Sequence, residues 1–250
     1  FKQSTISTDA LLNFFTVRGP DIISLNVSSC AGFTPNALSV LTDCSRSLTH
    51  FYCNNAAGLT ETALAQFVLR TPRLRVLFLS GTPAVTTRVL TFIHETCLNL
   101  SHLDVSNCTG VTREAAGPLS QMHSLQYLDV SFTQLTAEDI QLVVNNLPRI
   151  TTFAMQGVCF AQPLLFSQEA QWMNALRLNF SSCPNDLLEN IAYNCPLLTT
   201  VELRMCAAVT DAGIQLLVQH CTKLLNVVLT GTSVSRNLTR WLTAKGVLIM

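Results

Sequence analysis

The chain has 250 residues, of which 48% are hydrophobic and 12% are charged, and this composition excludes a disordered or collagen-like protein. Lysine and arginine together number 15, as do aspartate and glutamate, so the formal net charge is zero and no long-range field favours nucleic acid or an anionic membrane as a partner. No apolar run approaches the roughly 18 to 20 residues of a membrane-spanning helix, so we expect a soluble protein.

The first predicted element is the segment TDALLNFF at Thr8–Phe15, which is similar to TDAGIQLL at Thr210–Leu217. Each segment begins 14 residues before a predicted strand, which starts at Ile22 in the first case and at Leu224 in the second. The later segment falls in the helical half of a repeat. We therefore expect residues 1–21 to be the tail of a preceding repeat.

A repeat of about 26 residues follows, marked by nine copies of the template L-x-x-L-x-L-x-x-C/T, which begin at residues 22, 48, 74, 100, 125, 150, 175, 198 and 224. Apolar residues alternate within the copies, as at Leu103 and Val105, and this alternation predicts a short strand with one buried face. About four residues after each of most copies, a threonine or serine predicts the N-cap of a helix. The predicted caps are Thr34, Thr60, Thr86, Thr112, Thr136, Thr210 and Ser235.

One strand and one helix cannot bury their own apolar surface, so the repeats are expected to stack side by side. The sixth copy departs most from the pattern, because it lacks the cap signal and contains Pro163. The seventh copy, from Ala175 to Cys183, is followed by the next copy after only 23 residues. We expect an irregular helical side in these two repeats. Residues 246–250, GVLIM, are expected to begin another strand.

The template, followed by V/L-T-x-x-x-L and a cysteine at the helix end, resembles the cysteine-containing leucine-rich repeats of F-box/leucine-rich-repeat proteins. The clearest copy is LTTVELRMCAAVTDAGIQLLVQHC at Leu198–Cys221. The resemblance implies an α/β leucine-rich-repeat solenoid of about nine repeats, shaped as a horseshoe with a parallel sheet on the concave side and helices on the convex side. It implies a single domain over residues 1–250, with nine repeats in residues 22–245, and we expect the chain to be a fragment of a longer protein.

The ten cysteines are too sparse for a disulfide scaffold, and no C-x-x-C motif occurs. Several occupy the template cysteine or the helix end, where a small buried thiol suits a turn better than a metal or redox role. These cysteines are Cys30, Cys108, Cys183 and Cys206 in the template, and Cys97, Cys195 and Cys221 at helix ends, with Cys44 offset by one. Free thiols are typical of a reducing compartment, so we expect a cytoplasmic or nuclear protein.

Candidate partner-binding residues are the strand positions that alternate with the buried ones, because they face solvent on the concave sheet. They are Tyr52, Phe78, His102, Asp104, Tyr127, Asp129, Arg177, Glu202 and Arg204. Solvent-facing aromatics beside charges are typical of protein interfaces, whereas Asp104 and Asp129 are equally consistent with a solvated ladder residue. His50 and His102 lie two strands apart, about 10 Å, which is too far for one metal ion.

No catalytic motif occurs: GxxxxGK[ST], GxGxxG after a strand, GxSxG and HExxH are all absent, so we expect neither an enzyme nor a cofactor. The leading hypothesis, implied by the resemblance, is the substrate-recognition domain of an F-box-like ubiquitin-ligase subunit. Ligase components would then bind through a region outside this chain. The alternative hypothesis is a structural scaffold subunit of a large multiprotein assembly.

Overall fold

A computed structural model describes residues 1–160, 164–166 and 168–250. The chain divides into two compact units, Phe1–Leu125 (unit 1) and Gln126–Met250 (unit 2). Each unit alternates short strands with helices, and all strand pairs within a unit are parallel. The α/β stack predicted from the repeat is therefore confirmed within each unit.

Unit 1 contains four three-residue strands: β1 (Ser24–Asn26), β2 (His50–Tyr52), β3 (Val76–Phe78) and β4 (His102–Asp104). Its α-helices are α1 (Thr8–Arg18), α2 (Pro35–Cys44), α3 (Glu61–Arg70), α4 (Thr87–Thr96) and the short α5 (Ala116–Ser120). Two 3₁₀ turns, Gly19–Asp21 and Arg113–Ala115, complete it. The segment Thr8–Phe15, expected to be helical, lies within α1.

The register of the unit 1 strands matches the sequence period. Leu25 pairs with Phe51, Phe51 with Leu77, and Leu77 with Leu103, so one template position forms a continuous row across the strands. All four side chains are buried. Burying such a side chain contributes about 1.5 to 3 kcal/mol, and the row is shared between repeats because no single repeat encloses it.

Unit 2 contains six strands: β5 (Tyr127–Asp129), β6 (Thr152–Ala154), β7 (Ala175–Arg177), β8 (Thr200–Glu202), β9 (Asn226–Val228) and β10 (Leu248–Ile249). Its helices are α6 (Ala137–Asn145), α7 (Asn185–Asn194), α8 (Asp211–His220) and α9 (Arg236–Ala244), with a 3₁₀ helix at Gln168–Trp172. Strand β10 lies within residues 246–250, where another strand is expected, and pairs with β9.

The assignment of the seventh template copy to Ala175–Cys183 is wrong by two residues. Leu176 pairs with Phe153 on one side and with Val201 on the other, so the copy begins at the buried Met173 and ends at Ser181. The sequence pattern misleads here because methionine and serine replace the usual first leucine and last cysteine. Arg177 consequently lies beside Glu202, and Cys183 does not occupy the template position.

This correction moves the shortening from the seventh repeat to the sixth, which has 23 residues from Ile150, whereas the seventh has 25 from Met173. The irregular helical side is confirmed in the sixth repeat, where the 3₁₀ helix Gln168–Trp172 replaces an α-helix. A 3₁₀ helix rises about 2.0 Å per residue instead of 1.5 Å, so fewer residues cover the same distance. The seventh repeat has a regular helix, α7, so that expectation is wrong; Pro163 lies outside the described residues.

Five of the seven predicted helix caps are confirmed, because their hydroxyl oxygens accept a hydrogen bond from the backbone three residues later. These residues are Thr34, Thr60, Thr86, Thr136 and Ser235. The two exceptions have other partners: the Thr112 hydroxyl donates to Glu114, and the Thr210 hydroxyl accepts from Asn185 Nδ2 at 2.8 Å. Asn185 at the start of α7 thus joins two successive helices of unit 2.

Candidate functional site

The open face of each sheet, opposite the helices, holds the predicted partner-binding residues. The middle residue of a strand points towards the helices, as Phe51 does by packing on Phe67 of α3 with ring centroids 4.6 Å apart. Its neighbours in the strand therefore point to the open face. Tyr52, Phe78, His102 and Asp104 lie on this face in unit 1, and Tyr127, Asp129, Arg177, Glu202 and Arg204 lie on it in unit 2.

Tyr52 and Phe78 form an aromatic pair on the open face of unit 1. They are directly paired in the ladder between β2 and β3, and their rings pack edge to face, with centroids 5.2 Å apart and an interplanar angle of 82°. Both side chains are half-buried. Among the described residues, no hydrogen-bond partner is present for the Tyr52 hydroxyl. The pair therefore presents apolar rings and a polar hydroxyl together.

Asp104 lies beside Phe78 in the next strand and supports the turn that follows β4. The Ser106 backbone N–H donates to Asp104 Oδ1 at 3.0 Å, and the Ser106 hydroxyl donates to the same oxygen at 2.7 Å. Asn26 has the same backbone contact with Ser28 in β1, at 3.0 Å. A structural role thus accounts for an acidic or amide residue at this position, in agreement with the ladder-residue alternative.

The two open-face histidines of unit 1 are separated by Val76, which pairs with both. Each imidazole is oriented by the preceding residue: His50 Nδ1 lies 2.7 Å from the Thr49 hydroxyl, and His102 Nδ1 lies 2.9 Å from the Ser101 hydroxyl. Burial, and after it the charge of His50, lowers the pKa of His102. Both histidines are therefore expected to be largely neutral ladder residues at neutral pH.

Asp129 is the most enclosed of the predicted site residues, with 7% of its surface exposed. Burial raises the pKa of its carboxyl, although hydrogen bonds from Ser131 and the charge of Arg177 oppose the rise. The Ser131 backbone N–H donates to Asp129 Oδ1 at 2.9 Å, which repeats the turn contact of Asp104. Asp129 therefore has a structural role as well as a place in the charged group of unit 2.

Arg177, Glu202 and Asn179 form the centre of that charged group. Arg177 Nε donates to Glu202 Oε1 at 2.9 Å, and Asn179 Nδ2 donates to Glu202 Oε2 at 2.9 Å. Burial opposes the charge of Arg177, but Glu202, Tyr127 and Asp129 together raise its pKa. Tyr127, at the start of β5, is half-buried beside this group. The Arg177–Glu202 pair is thus held in one geometry by its neighbours.

Arg204, two residues beyond Glu202, is exposed, and its guanidinium has neither an ion pair nor a hydrogen bond within the described part of the chain. Its backbone N–H donates to Asn179 Oδ1 at 2.8 Å, which fixes the main chain at this position. Arg204 is therefore a rigidly placed cationic residue at the edge of the open face of unit 2.

The sequence analysis missed three exposed apolar side chains in the turns that follow the strands of unit 2. Phe132, Phe180 and Met205, here named the apolar row, have positive φ angles of 55°, 59° and 58°. They occupy the template position before the final residue, where other repeats have serine, asparagine or glycine. Aligning that position across the repeats, in the corrected register, is the sequence signal that identifies them.

Within the described residues, no group of three or more histidine, cysteine or acidic side chains is close enough together to hold a metal ion. None of the helices in the described ranges has both the length and the apolar composition that crossing a bilayer requires.

A family model described as Leucine Rich repeat matches this chain at residues 121–144 and 194–218. The second match covers most of the copy at Leu198–Cys221, on which the sequence resemblance depends. Each match includes one helix that follows or precedes a strand of unit 2, so the model recognises repeats at two places in the chain.

Solved structures show the same fold at low sequence identity. The leucine-rich repeat-containing protein LegL7 from Legionella pneumophila has a TM-score of 0.59 and 11% identity, over 100% of this chain and 88% of that chain. An internalin, InlF, from Listeria monocytogenes has a TM-score of 0.53 and 13% identity, over 97% of this chain and 86% of its own. A chain of the Rad7 and Elc1 complex from yeast has a TM-score of 0.52 and 14% identity, over 98% and 78% respectively.

Proposed function

Because the chain is a leucine-rich-repeat protein with the α/β solenoid fold, we propose that it is a non-catalytic module that binds another protein through the open face of its sheets. The observation that carries this proposal is the edge-to-face pair of Tyr52 and Phe78. An aromatic pair that is half exposed on a sheet face gains less from burial than a core residue does. Such residues are typical of the anchors that dominate protein interfaces.

Unit 2 supports the proposal with a charged group that is already ordered. The Arg177–Glu202 ion pair and its contact with Asn179 require little rearrangement on binding, so less conformational entropy is lost. Arg204 adds an accessible guanidinium that can form bidentate bonds with a carboxylate. We expect these residues to contribute specificity more than affinity, because exposed charges mainly steer and orient partners.

The finer proposal is that the chain recognises substrates within an F-box-like ubiquitin-ligase subunit. Its support is the resemblance of Leu198–Cys221 to the repeats of F-box/leucine-rich-repeat proteins and the likeness to a chain that was crystallised in the Rad7 and Elc1 complex. Ligase components would bind through a region outside this chain. All ten cysteines are free, which supports a reducing compartment, the cytoplasm or the nucleus.

The test is affinity purification from cells with a tagged protein carrying Tyr52→Ala and Phe78→Ala, compared with the unchanged protein by quantitative mass spectrometry. We expect the double variant to lose its specific partner by about tenfold or more, because interface aromatics commonly contribute 2 kcal/mol or more. Circular dichroism and the melting temperature are expected to change little, since both rings lie on the open face.

The matched control is Leu98→Ala, which removes an apolar side chain that is 68% exposed and lies outside the strands of unit 1. We expect this variant to retain the partner. Ligase components among the retained proteins would support the finer proposal, whereas a stable stoichiometric complex without them would favour the scaffold. Equal partner recovery by the double variant and the unchanged protein would contradict binding at Tyr52 and Phe78.

A further inference from the structure

One position in the turn after each strand has a left-handed backbone, and the two units fill it with different residues. In unit 1 the position holds Ser29, Asn55, Gly81 and Asn107. In unit 2 it holds Phe132, Gly157, Phe180, Met205 and Gly231. Glycine and asparagine adopt this conformation readily, whereas bulky side chains adopt it rarely. The apolar row is therefore a departure that the turn itself does not require.

The same three side chains are also exposed to solvent. Phe132 is 46% exposed, Phe180 57% and Met205 56%, although the neighbouring turn residues of unit 2 that end the template are buried. Strained backbone and exposed apolar surface both oppose folding, and both occur at the same three residues. Such a combination points to a function outside the folded chain.

Hydrogen bonds hold the row in line with the sheet. The Phe132 N–H donates to the Gln156 carbonyl at 2.9 Å, and the Phe180 N–H donates to the Arg204 carbonyl at 2.7 Å. Phe132 and Phe180 come together across the intervening Gly157, with ring centroids 6.1 Å apart. A Cβ atom on Gly157 would lie 2.6 Å from the Phe132 ring, so only glycine allows this arrangement.

The charge beside the row is positive. The open-face charges of unit 2 are Asp129, Arg177, Glu202 and Arg204. Arg177 and Glu202 pair with each other, and Asp129 is buried and accepts from the Ser131 backbone. Arg204 precedes Met205 in the chain, and its guanidinium has no acidic partner in the described ranges. A ligand on the apolar row would therefore meet one uncompensated cation.

We propose that the apolar row and Arg204 form a docking site for a short extended segment of a partner protein that carries apolar side chains and a neighbouring carboxylate. This proposal rests on the proposed protein-binding function and names the chemistry of one partner segment. The row extends over three strand spacings, about 14 Å, which four or five residues of an extended peptide would span. Its apolar side chains would cover the rings, and its carboxylate would pair with Arg204.

The size of the row favours a peptide over a second copy of the chain. A phenylalanine buries about 150 to 250 Å² in full, so three half-exposed side chains offer roughly 300 Å². A stable interface between two globular chains buries about 800 Å² on each partner. The row alone is too small for such a dimer, but it suits a short segment.

The test begins with a phage library of short random peptides selected on the intact protein. We expect enrichment of peptides with apolar residues next to aspartate or glutamate. Fluorescence anisotropy with a selected peptide should then show about tenfold or weaker binding to the triple variant Phe132→Asn, Phe180→Asn, Met205→Asn. Because asparagine is the residue that unit 1 uses at this position, the triple variant should melt at the same temperature as the unchanged protein or higher.

Arg204→Gln should abolish the preference for acidic peptides while apolar peptides still bind. Equal binding to the triple variant, or no enrichment over it, would overturn the proposal, as would a dimer of the unchanged protein that the triple variant lacks. The Tyr52→Ala, Phe78→Ala variant separates the two proposals, because it should still bind the selected peptides. If cellular partners depend on Tyr52 and Phe78 but no peptide binds the row, only the present inference fails.

Discussion

Buried thiols and hydroxyls at the turns act as interchangeable hydrogen-bond donors. Cys108 Sγ donates to the Leu79 carbonyl at 3.2 Å, and the Thr82 hydroxyl donates to the Cys53 carbonyl at 2.9 Å from the equivalent position of the preceding repeat. Burial raises the pKa of the Cys108 thiol to about 11. The template therefore accepts cysteine or threonine because it requires a small buried donor, not because it requires sulfur chemistry.

These thiols are expected to be unreactive in the folded protein. Only Cys159 is exposed and Cys44 partly exposed, while the other eight cysteines are buried. Burial raises the pKa of Cys97 and Cys195 to about 12, so their thiolate fraction stays negligible until strongly alkaline pH. Alkylation with iodoacetamide near neutral pH, followed by peptide mass spectrometry, should modify Cys159 first and Cys44 more slowly. Rapid modification of Cys97 or Cys195 without denaturant would contradict this structural role.

The structural role of the cysteines could be predicted from the sequence because it depends on a repeated spacing. The contacts of Asp104 could not be predicted in the same way, since the alternation of apolar residues places the side chain on the open face without showing that it caps the next turn. The left-handed turn at Phe132 was missed for a related reason: its backbone angle depends on the ladder bond to Gln156, which no local propensity indicates.

At the scale of the elements, the register of β7 determines which residues meet on the open face. Pairing places Arg177 beside Glu202, and it places Ser181 at the position that cysteine or threonine fills in other repeats. The Ser181 hydroxyl donates to the Met155 carbonyl at 3.3 Å and accepts from the Val158 backbone N–H at 3.1 Å. Thr82 makes the corresponding contacts in unit 1, which independently supports the corrected register.

Replacing Ser181 tests this register directly. Ser181→Ala should lower the free energy of unfolding by about 1 to 3 kcal/mol, because the buried carbonyl and N–H lose their partner. Ser181→Cys should recover part of the loss, since cysteine serves as the donor elsewhere. The matched substitution Cys183→Ser should not reproduce this pattern of loss and recovery. A larger loss for Cys183→Ser than for Ser181→Ala in urea unfolding would restore the register that the sequence alone suggested.

Helix starts were predicted well where the cap is local and poorly where it is not. Thr136 and Asp139 form a capping box within three residues, so the sequence contains the whole interaction. Thr210 has the same local sequence signal, but its hydroxyl is occupied by Asn185 from the preceding repeat, 25 residues away. Contacts between repeats decide such cases, and a single repeat does not reveal them.

At the scale of the whole molecule, stability depends on contacts between neighbouring repeats within each unit. In unit 1 the buried row from Leu25 to Leu103 passes through four strands, and each strand hydrogen-bonds the next through its turn: the Cys53 N–H donates to Phe78, and the Leu79 N–H donates to Asp104, both at 2.8 Å. The period of the sequence predicts this stacking because no repeat can bury its apolar residues alone.

The most direct test of this account is hydrogen exchange in a Leu103→Asp variant, with His102→Asp on the open face as the matched control. An unpaired carboxylate in place of fully buried Leu103 should cost at least about 3 kcal/mol, whereas the control should cost roughly 0.5 kcal/mol. We predict that the Leu103→Asp variant loses protection at the amides of both Leu79 and Cys53, because the repeats unfold together. Loss of protection at Leu79 alone, or unchanged protection at both amides, would contradict stacking as the source of stability.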